Sequence, residues 1–325
     1  MAIPPSSVQI EDYLDPKLLA QVSALDLRAR MAVEGLMSGT HRSPTQGVSA
    51  EFAQHRQYAV GDDTRFLDWK VAAKTDKLYL KQFFKETNLD LAILVDTSGS
   101  MAFQSKGKGG APWRKFDYAA TAAAALAHLA IHQQDRVGLT VFDDQVRQAT
   151  RLSNNANHWR TVTAALSAAE VVVTDQAMGP DAPNVPGRTD LASLFDQMTA
   201  KLVRKSLVVL ISDLFDQADV VEQGLAKLRF RGHDVLILHV MDPMELTFPY
   251  RSSSEFCGLE GEGRLPVDAV ALRKAYLDVV EAHLKRVEAS ARGFRFDYVL
   301  LKTDEPMGPA LSHFLARRNA LIGKR

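Results

Sequence analysis

Between residues 88 and 303 apolar and polar positions follow two rhythms in turn. Leu91, Ala92, Ile93, Leu94 and Val95 form a continuous apolar run. Such a run predicts a strand covered on both faces, as in a parallel sheet. Comparable strands are predicted over Val137–Phe142, Ser206–Ile211, Asp234–Val240 and Phe294–Leu300. Between them the apolar positions recur at helical spacing. Helices are predicted over about 115–134, 154–168, 190–204, 217–231, 267–292 and 307–321, with Asn154 and Asn155 as caps of the second and Gly232 and Gly293 as stops. Val146–Leu152 reads as a hairpin strand at the sheet edge, after an Asp143-Asp144 turn. Strands alternating with helices give an α/β class fold with a doubly wound, mostly parallel sheet and one antiparallel edge.

The rhythm is different at the front of the chain. Asp15-Pro16 reads as a helix start, and Leu18, Val22, Leu25, Ala29, Ala32 and Leu36 predict one amphipathic helix ending near Gly39. Residues 40–86 are dense in charge and aromatics, with a strand expected near Leu78–Phe84. A second break falls at about 242–266, rich in serine, glycine and proline, with short β-prone pieces such as Leu246–Tyr250. This stretch reads as an insertion.

Composition narrows the function classes. Lys plus Arg and Asp plus Glu are 39 each in a chain of 325 residues. A net charge of zero argues against a global attraction to nucleic acid or anionic membrane. The single cysteine, Cys257, excludes an intrachain disulfide and a cysteine-based metal cluster. No apolar run has the length of a membrane span, and the N-terminus lacks the pattern of a signal peptide. A soluble cytoplasmic protein is the expectation.

The candidate chemistry lies in D-T-S-G-S, residues 96–100, immediately after the first apolar strand. Asp96, Ser98 and Ser100 are hard oxygen donors at the carboxyl end of a buried strand, where open α/β sheets place ligands. Thr189 opens a predicted helix and Asp213 follows the strand S-L-V-V-L-I-S. In a doubly wound sheet all of them share one rim. Two hydroxyls, a threonine, two carboxylates and waters suit a hard divalent cation, with Mg²⁺ first and Mn²⁺ or Ca²⁺ as alternatives. The competing reading is an enzyme, a metal-dependent hydrolase or phosphotransferase using Asp96. Phosphotransferases of the haloacid dehalogenase type need a second acid two residues on, and that position is Ser98. The stretch Gly107-Lys108-Gly109-Gly110 does not meet the phosphate-loop pattern. His128 and His132 lie four apart on a helix without the H-E-x-x-H signature. The cluster Arg56, Asp62, Asp63, Arg65, Asp68 and Lys70, beside Tyr58, Phe66 and Trp69, reads either as a partner surface or as an internal ion-pair network.

The D-T-S-G-S motif with Thr189 and Asp213 resembles the metal-ion-dependent adhesion site of von Willebrand factor A domains. The segments H-R-S-P, E-F-A-Q-H-R-Q-Y, G-D-D-T-R-F-L-D-W-K and L-Y-L-K-Q-F resemble the domain-of-unknown-function 58 family, which has von Willebrand A-like domains. The resemblance implies three parts: a helix and small β-containing unit over 1–87, a von Willebrand A-like domain over 88–303 with its insertion, and a C-terminal helix over 304–325 packing on that domain. It further implies that Ser98, Ser100 and Thr189 contact the metal and that Asp96 and Asp213 act directly or through water. One position stays open for an Asp or Glu of a protein partner. That family is commonly encoded beside MoxR-type AAA+ ATPases, so the resemblance implies a non-catalytic adaptor or co-chaperone.

Overall fold

A computed structural model describes residues 16–39, 52–59, 64, 67–75, 77–83, 89–105, 110–171, 195–198, 200, 202, 204–216, 218–259 and 263–322. Within it the elements in chain order are α1 (Pro16–Gln21), α2 (Leu25–Gly39), β1 (Phe52–Gln57), α3 (Trp69–Thr75), β2 (Tyr79–Phe83), β3 (Asp90–Asp96), α4 (Lys115–His132), β4 (Arg136–Phe142), β5 (Val146–Ala149) and α5 (His158–Ala168). They continue as β6 (Leu207–Ser212), α6 (Ala218–Phe230), β7 (Asp234–Met241), α7 (Pro243–Thr247), β8 (Ser254–Cys257), β9 (Arg264–Val267), α8 (Ala269–Gly293), β10 (Asp297–Lys302) and α9 (Gly308–Ile322). The chain divides into two compact units, one of Met1–His41 with Leu89–Lys324 and one built on Arg42–Asn88. α1 and α2 group with the large unit, and β1, α3 and β2 with the small one.

The large unit is built on a six-stranded sheet of order β10-β7-β6-β3-β4-β5. All its pairings are parallel except β4 with β5, so the sheet is mostly parallel with an antiparallel edge, as expected. β3 lies inside the sheet and every one of its residues is buried. Side chains alternate across a strand, and here the two sets enter different cores. Leu91, Ile93 and Val95 join a layer formed by α2, α4, α5 and α9. Ala92 and Leu94 join the opposite layer, with Val221, Leu225 and Leu228 of α6 and Val287 and Ala291 of α8. The unbroken apolar run thus has one physical cause, helices on both faces.

α4 accounts for the alanine-rich stretch. It is buried from Lys115 almost to its end because the sheet, α2, α5 and α9 surround it. A helix apolar on all sides belongs in an interior, and alanine lets neighbouring backbones approach closely. The expected single helix over residues 15–39 is two, broken at Val22–Ala24. Ser23 competes locally with helical hydrogen bonding, and the break lets both Leu19 and Leu25 be buried. Asn154 and Asn155 do not cap α5 directly. Asn157 takes that place, and the Asn155 side chain accepts from the Asn157 backbone N–H at 2.8 Å in the turn before it.

The insertion holds α7 and the antiparallel ribbon of β8 and β9. The β-prone reading of Leu246–Tyr250 is corrected: Leu246 is helical. Asp242 caps α7, accepting from Met244 N at 2.8 Å, while Glu245 accepts from Asp242 N at 2.8 Å. This reciprocal box with Pro243 in the first turn overrides strand propensity. Among the described residues no helix is long and apolar enough to cross a membrane.

In the small unit β1 pairs antiparallel with β2, with a bulge between Phe52 and Gln54. Asp68 is buried and its Oδ1 accepts from Lys70 N and Val71 N at the start of α3. Trp69 beside it is 67% exposed. The side chains of Arg56, Asp62, Asp63, Arg65 and Phe66, the remaining core of the charged cluster, lie outside the described residues.

Candidate metal centre

The strand order reverses beside β3. β4 follows it in sequence on one side, whereas β6, reached by a long return, lies on the other. The carboxyl ends of β3 and β6 flank the crevice such a reversal opens. Asp96 ends β3, and Ser212 ends β6 with Asp213 next.

Local hydrogen bonding shapes each loop. Thr97 N and Thr97 Oγ1 both donate to the Phe142 carbonyl, at 2.7 and 2.9 Å, which pins the first loop to the end of β4. Asp96 Oδ1 accepts from Ser98 N at 2.8 Å, an Asx turn, and a short 3-10 turn over Gly99–Ala102 follows. The Ser98 and Ser100 hydroxyls face each other at 3.1 Å. On the other loop Ser212 Oγ donates to Asp96 Oδ2 at 2.5 Å and accepts from Leu214 N at 2.9 Å. Leu214 is buried with φ of 46°, a left-handed conformation that costs a non-glycine residue on the order of 1 kcal/mol or more. Its carbonyl faces His283 Nε2 of α8 at 3.1 Å, which helps to hold it there.

A polar chain runs through the crevice. The Ser100 hydroxyl bonds the Asp213 carboxylate. Asp213 Oδ2 accepts from Lys115 Nζ at 2.7 Å, and Lys115 also donates to Glu245 Oε1 at 2.8 Å. Lys115 is wholly buried. Burial alone would favour the neutral amine, but the charges of Asp213 and Glu245 outweigh it and hold the ammonium. Burial likewise pushes Asp213 up, yet Lys115 and the hydrogen bonds to it bring Asp213 below the usual carboxylate range. Among the described residues Asp96 has no such partner. Burial first, and the Asp213 charge second, push it up to about 7 despite the hydrogen bonds from Ser212 and Ser98.

The structure thus brings together four of the five predicted donors: Asp96, Ser98, Ser100 and Asp213. Thr189 lies outside the described residues, as do most of the loop and helix around it and residues 106–109 of the glycine-rich loop. Three participants were missed. Ser212 reads in sequence as the last residue of a strand, and Glu245 as part of a β-prone insertion. Lys115 did carry a signal: it shares a helical stripe with Tyr118, Ala119 and Ala122, all fully buried, and a cation at a helix start opposes the dipole. His128 and His132 pack edge to face with centroids 4.3 Å apart, His128 lying 4.8 Å from Trp159. Among the described residues no group of three or more His, Cys, Asp or Glu is placed to hold a metal. The crevice pairs two carboxylates with hydroxyls instead.

The family model "Protein of unknown function DUF58" matches residues 54–286. The chain belongs to the DUF58 family. Uncharacterized proteins of Mycobacterium bovis and Mycobacterium tuberculosis are similar to it, each 28% identical over 324 residues, 98% of this chain and 96% of theirs. Among solved structures, this DUF58 chain is similar to the conserved hypothetical protein BatB from Bacteroides thetaiotaomicron, with a TM-score of 0.44 and 13% identity over 73% of this chain and 100% of that one. An aerotolerance-related membrane protein from Bacteroides fragilis gives a TM-score of 0.41 at 13% identity, over 73% of this chain and 100% of that one.

Proposed function

We propose that this DUF58 protein is a non-catalytic, divalent-metal-dependent docking module of von Willebrand A type. In this reading Asp96, Ser98, Ser100, Asp213 and Thr189 hold Mg²⁺, and a partner's Asp or Glu completes its shell. The observation that carries the reading is the electrostatic state of Asp96: a buried carboxylate beside two converging hydroxyls, with no cation against it among the described residues and its pKa pushed up to about 7. Burying a charge is costly unless a counter-charge is supplied. A hard divalent cation suits that donor set, in which hydroxyl and carboxylate oxygens leave room for waters and a partner's oxygen. When bound, the cation supplies an electrophilic position for an incoming carboxylate. Asp96 contributes one charge, Ser98 and Ser100 neutral oxygens, and Asp213 an acceptor already half-neutralised by Lys115.

The arrangement speaks against Asp96 as a nucleophile. Its oxygens are engaged by Ser98 N and Ser212 Oγ, and the buried ammonium that could assist it is held between Asp213 and Glu245. The partner system in this proposal is a MoxR-type AAA+ ATPase, with the protein as an adaptor or co-chaperone; this part rests on the family resemblance. Affinity capture from the protein's own cell extract, with Mg²⁺ or with chelator, tests the proposal. A partner retained in Mg²⁺, released by chelator and lost with Ser98→Ala supports docking through the metal. Retention that survives chelator and Ser98→Ala removes the mechanism, and Mg²⁺-dependent turnover of phosphate esters lost in Asp96→Asn would establish the enzyme reading instead.

A further inference from the structure

A cavity of about 330 Å³ opens directly beside the oxygen cluster. Ser100 and Glu245, members of the crevice network, form its polar edge. Its walls are aromatic and aliphatic and come largely from the insertion. Phe248 is their centre, with ring centroids 4.4 Å from Tyr276, 5.0 Å from Tyr250 and 5.7 Å from Phe256, the last nearly parallel. Phe248 has φ of 41°, and its carbonyl accepts from Arg273 Nε at 3.1 Å, with Arg273 also reaching the Thr247 carbonyl. A buried non-glycine residue in left-handed conformation, Phe248, thus lines this opening; such strain concentrates at ligand clamps. At the rim Phe215 is 66% exposed and Leu265 63% exposed. Large apolar side chains left wet around a concave apolar wall mark an interaction site.

We infer that this cavity is the second half of the docking site and takes a large apolar side chain of a partner peptide, next in sequence to the acid that reaches the metal. The inference rests on the metal-docking reading above. Charge fixes the orientation. Glu245 is the sole charged residue in the described lining, and it is already engaged by Lys115, so the apolar wall offers an acid no counter-charge and the acid is drawn to the cation at the cavity's edge. The apolar neighbour of that acid then meets the aromatic wall. A peptide fits better than a long-chain amphiphile for two reasons. The volume lies at the small end of ligand cavities, enough for one large side chain. The β8–β9 ribbon beside it has no further strand partner among the described residues, which leaves main-chain groups for an extended segment to meet.

The test is selection of phage-displayed random peptides on the immobilised full chain in Mg²⁺, eluted with EDTA. Anisotropy titration then follows with the enriched peptide, its Asp→Asn or Glu→Gln form, and a form with the apolar residue changed to Gly. We expect enriched sequences with Asp or Glu within two residues of Phe, Trp, Leu or Met. The apolar→Gly peptide should bind at least about tenfold more weakly, the scale of burying one large side chain. Leu265→Glu and Phe215→Ala, both at exposed positions, should reproduce that loss with Mn²⁺ binding and Tm unchanged. Acidic, EDTA-eluted peptides with no apolar preference and undiminished binding to Leu265→Glu would overturn this inference and leave metal docking intact. Binding indifferent to EDTA and to the acid would remove both. Failure of any peptide to enrich, together with dodecanoate binding abolished by Leu265→Glu or a Mg²⁺-dependent dimer abolished by it, would assign the cavity to another occupant and overturn the peptide.

Discussion

The two carboxylates of the crevice lie at the carboxyl ends of neighbouring strands of one sheet, and both are buried. Their electrostatics are opposite. Asp213 has a counter-charge built into the chain: Lys115, itself wholly buried, holds it ionised. Asp96 has neutral partners, and its pKa is pushed up to about 7. The difference teaches how one sheet edge can hold two buried carboxylates in opposite electrostatic states. One charge is satisfied within the chain; under the proposed function the other is the charge that a bound divalent ion would meet. The division falls between two adjacent strand ends.

The hardest way to break this comparison is to remove the built-in cation. Lys115→Met leaves Asp213 and Glu245 buried without it, and loss of one partner of a buried pair costs about 3–5 kcal/mol. Urea unfolding should show that loss, and adding Asp213→Asn to the variant should recover part of it. A next test acts on the other carboxylate. Mg²⁺ at roughly a hundred times its Kd should stabilise the wild-type chain by about 2.7 kcal/mol, read as a rise in Tm. Asp96→Asn should abolish that rise while changing the stability in chelator far less than Lys115→Met does.

pH sharpens the contrast. His239 is buried, and burial lowers its pKa to about 4. Its folded value lies below its unfolded value, so its contribution is full above about 6.5 and is lost as pH falls toward 4, at most about 3 kcal/mol. Asp96 runs the other way in the metal-free protein: its folded value is raised, so its contribution is full below about 4 and is lost as pH rises through about 7. In chelator the two offset each other between pH 4 and 7. Asp96→Asn should therefore show a steeper fall of Tm on acidification than the wild type, and equal slopes would contradict the assignment. The smallest effect is expected one residue from Lys115. Arg114 pairs with Asp117 at 2.9 Å on the surface, and an exposed pair is worth about 0–1 kcal/mol. Arg114→Ala should leave both stability and Mg²⁺ response nearly unchanged.

The parts legible in sequence share one property: each rests on a local pattern. The double-faced burial of β3 shows as five consecutive apolar residues, the edge hairpin as Asp143-Asp144 between two strands, and the oxygen cluster as alternate side chains of one loop. The rest depends on contacts distant in sequence. Lys115 meets Asp213 and Glu245 across 98 and 130 residues, and Ser212 meets Asp96 across 116. No periodicity encodes those meetings; strand order does. The insertion misled for another reason. Leu246 and Phe248 have strand propensity, but the Asp242–Glu245 box and Pro243 decide locally for a helical turn, and its left-handed exit at Phe248 then centres the aromatic cavity.

The most direct test of the central claim is a Mn²⁺ titration of the full chain, followed by water-proton relaxation. One site per chain, competed by Mg²⁺ and lost with Ser98→Ala, is the predicted result. Binding that persists unchanged in both Asp96→Asn and Ser98→Ala, or no binding at all, would contradict it.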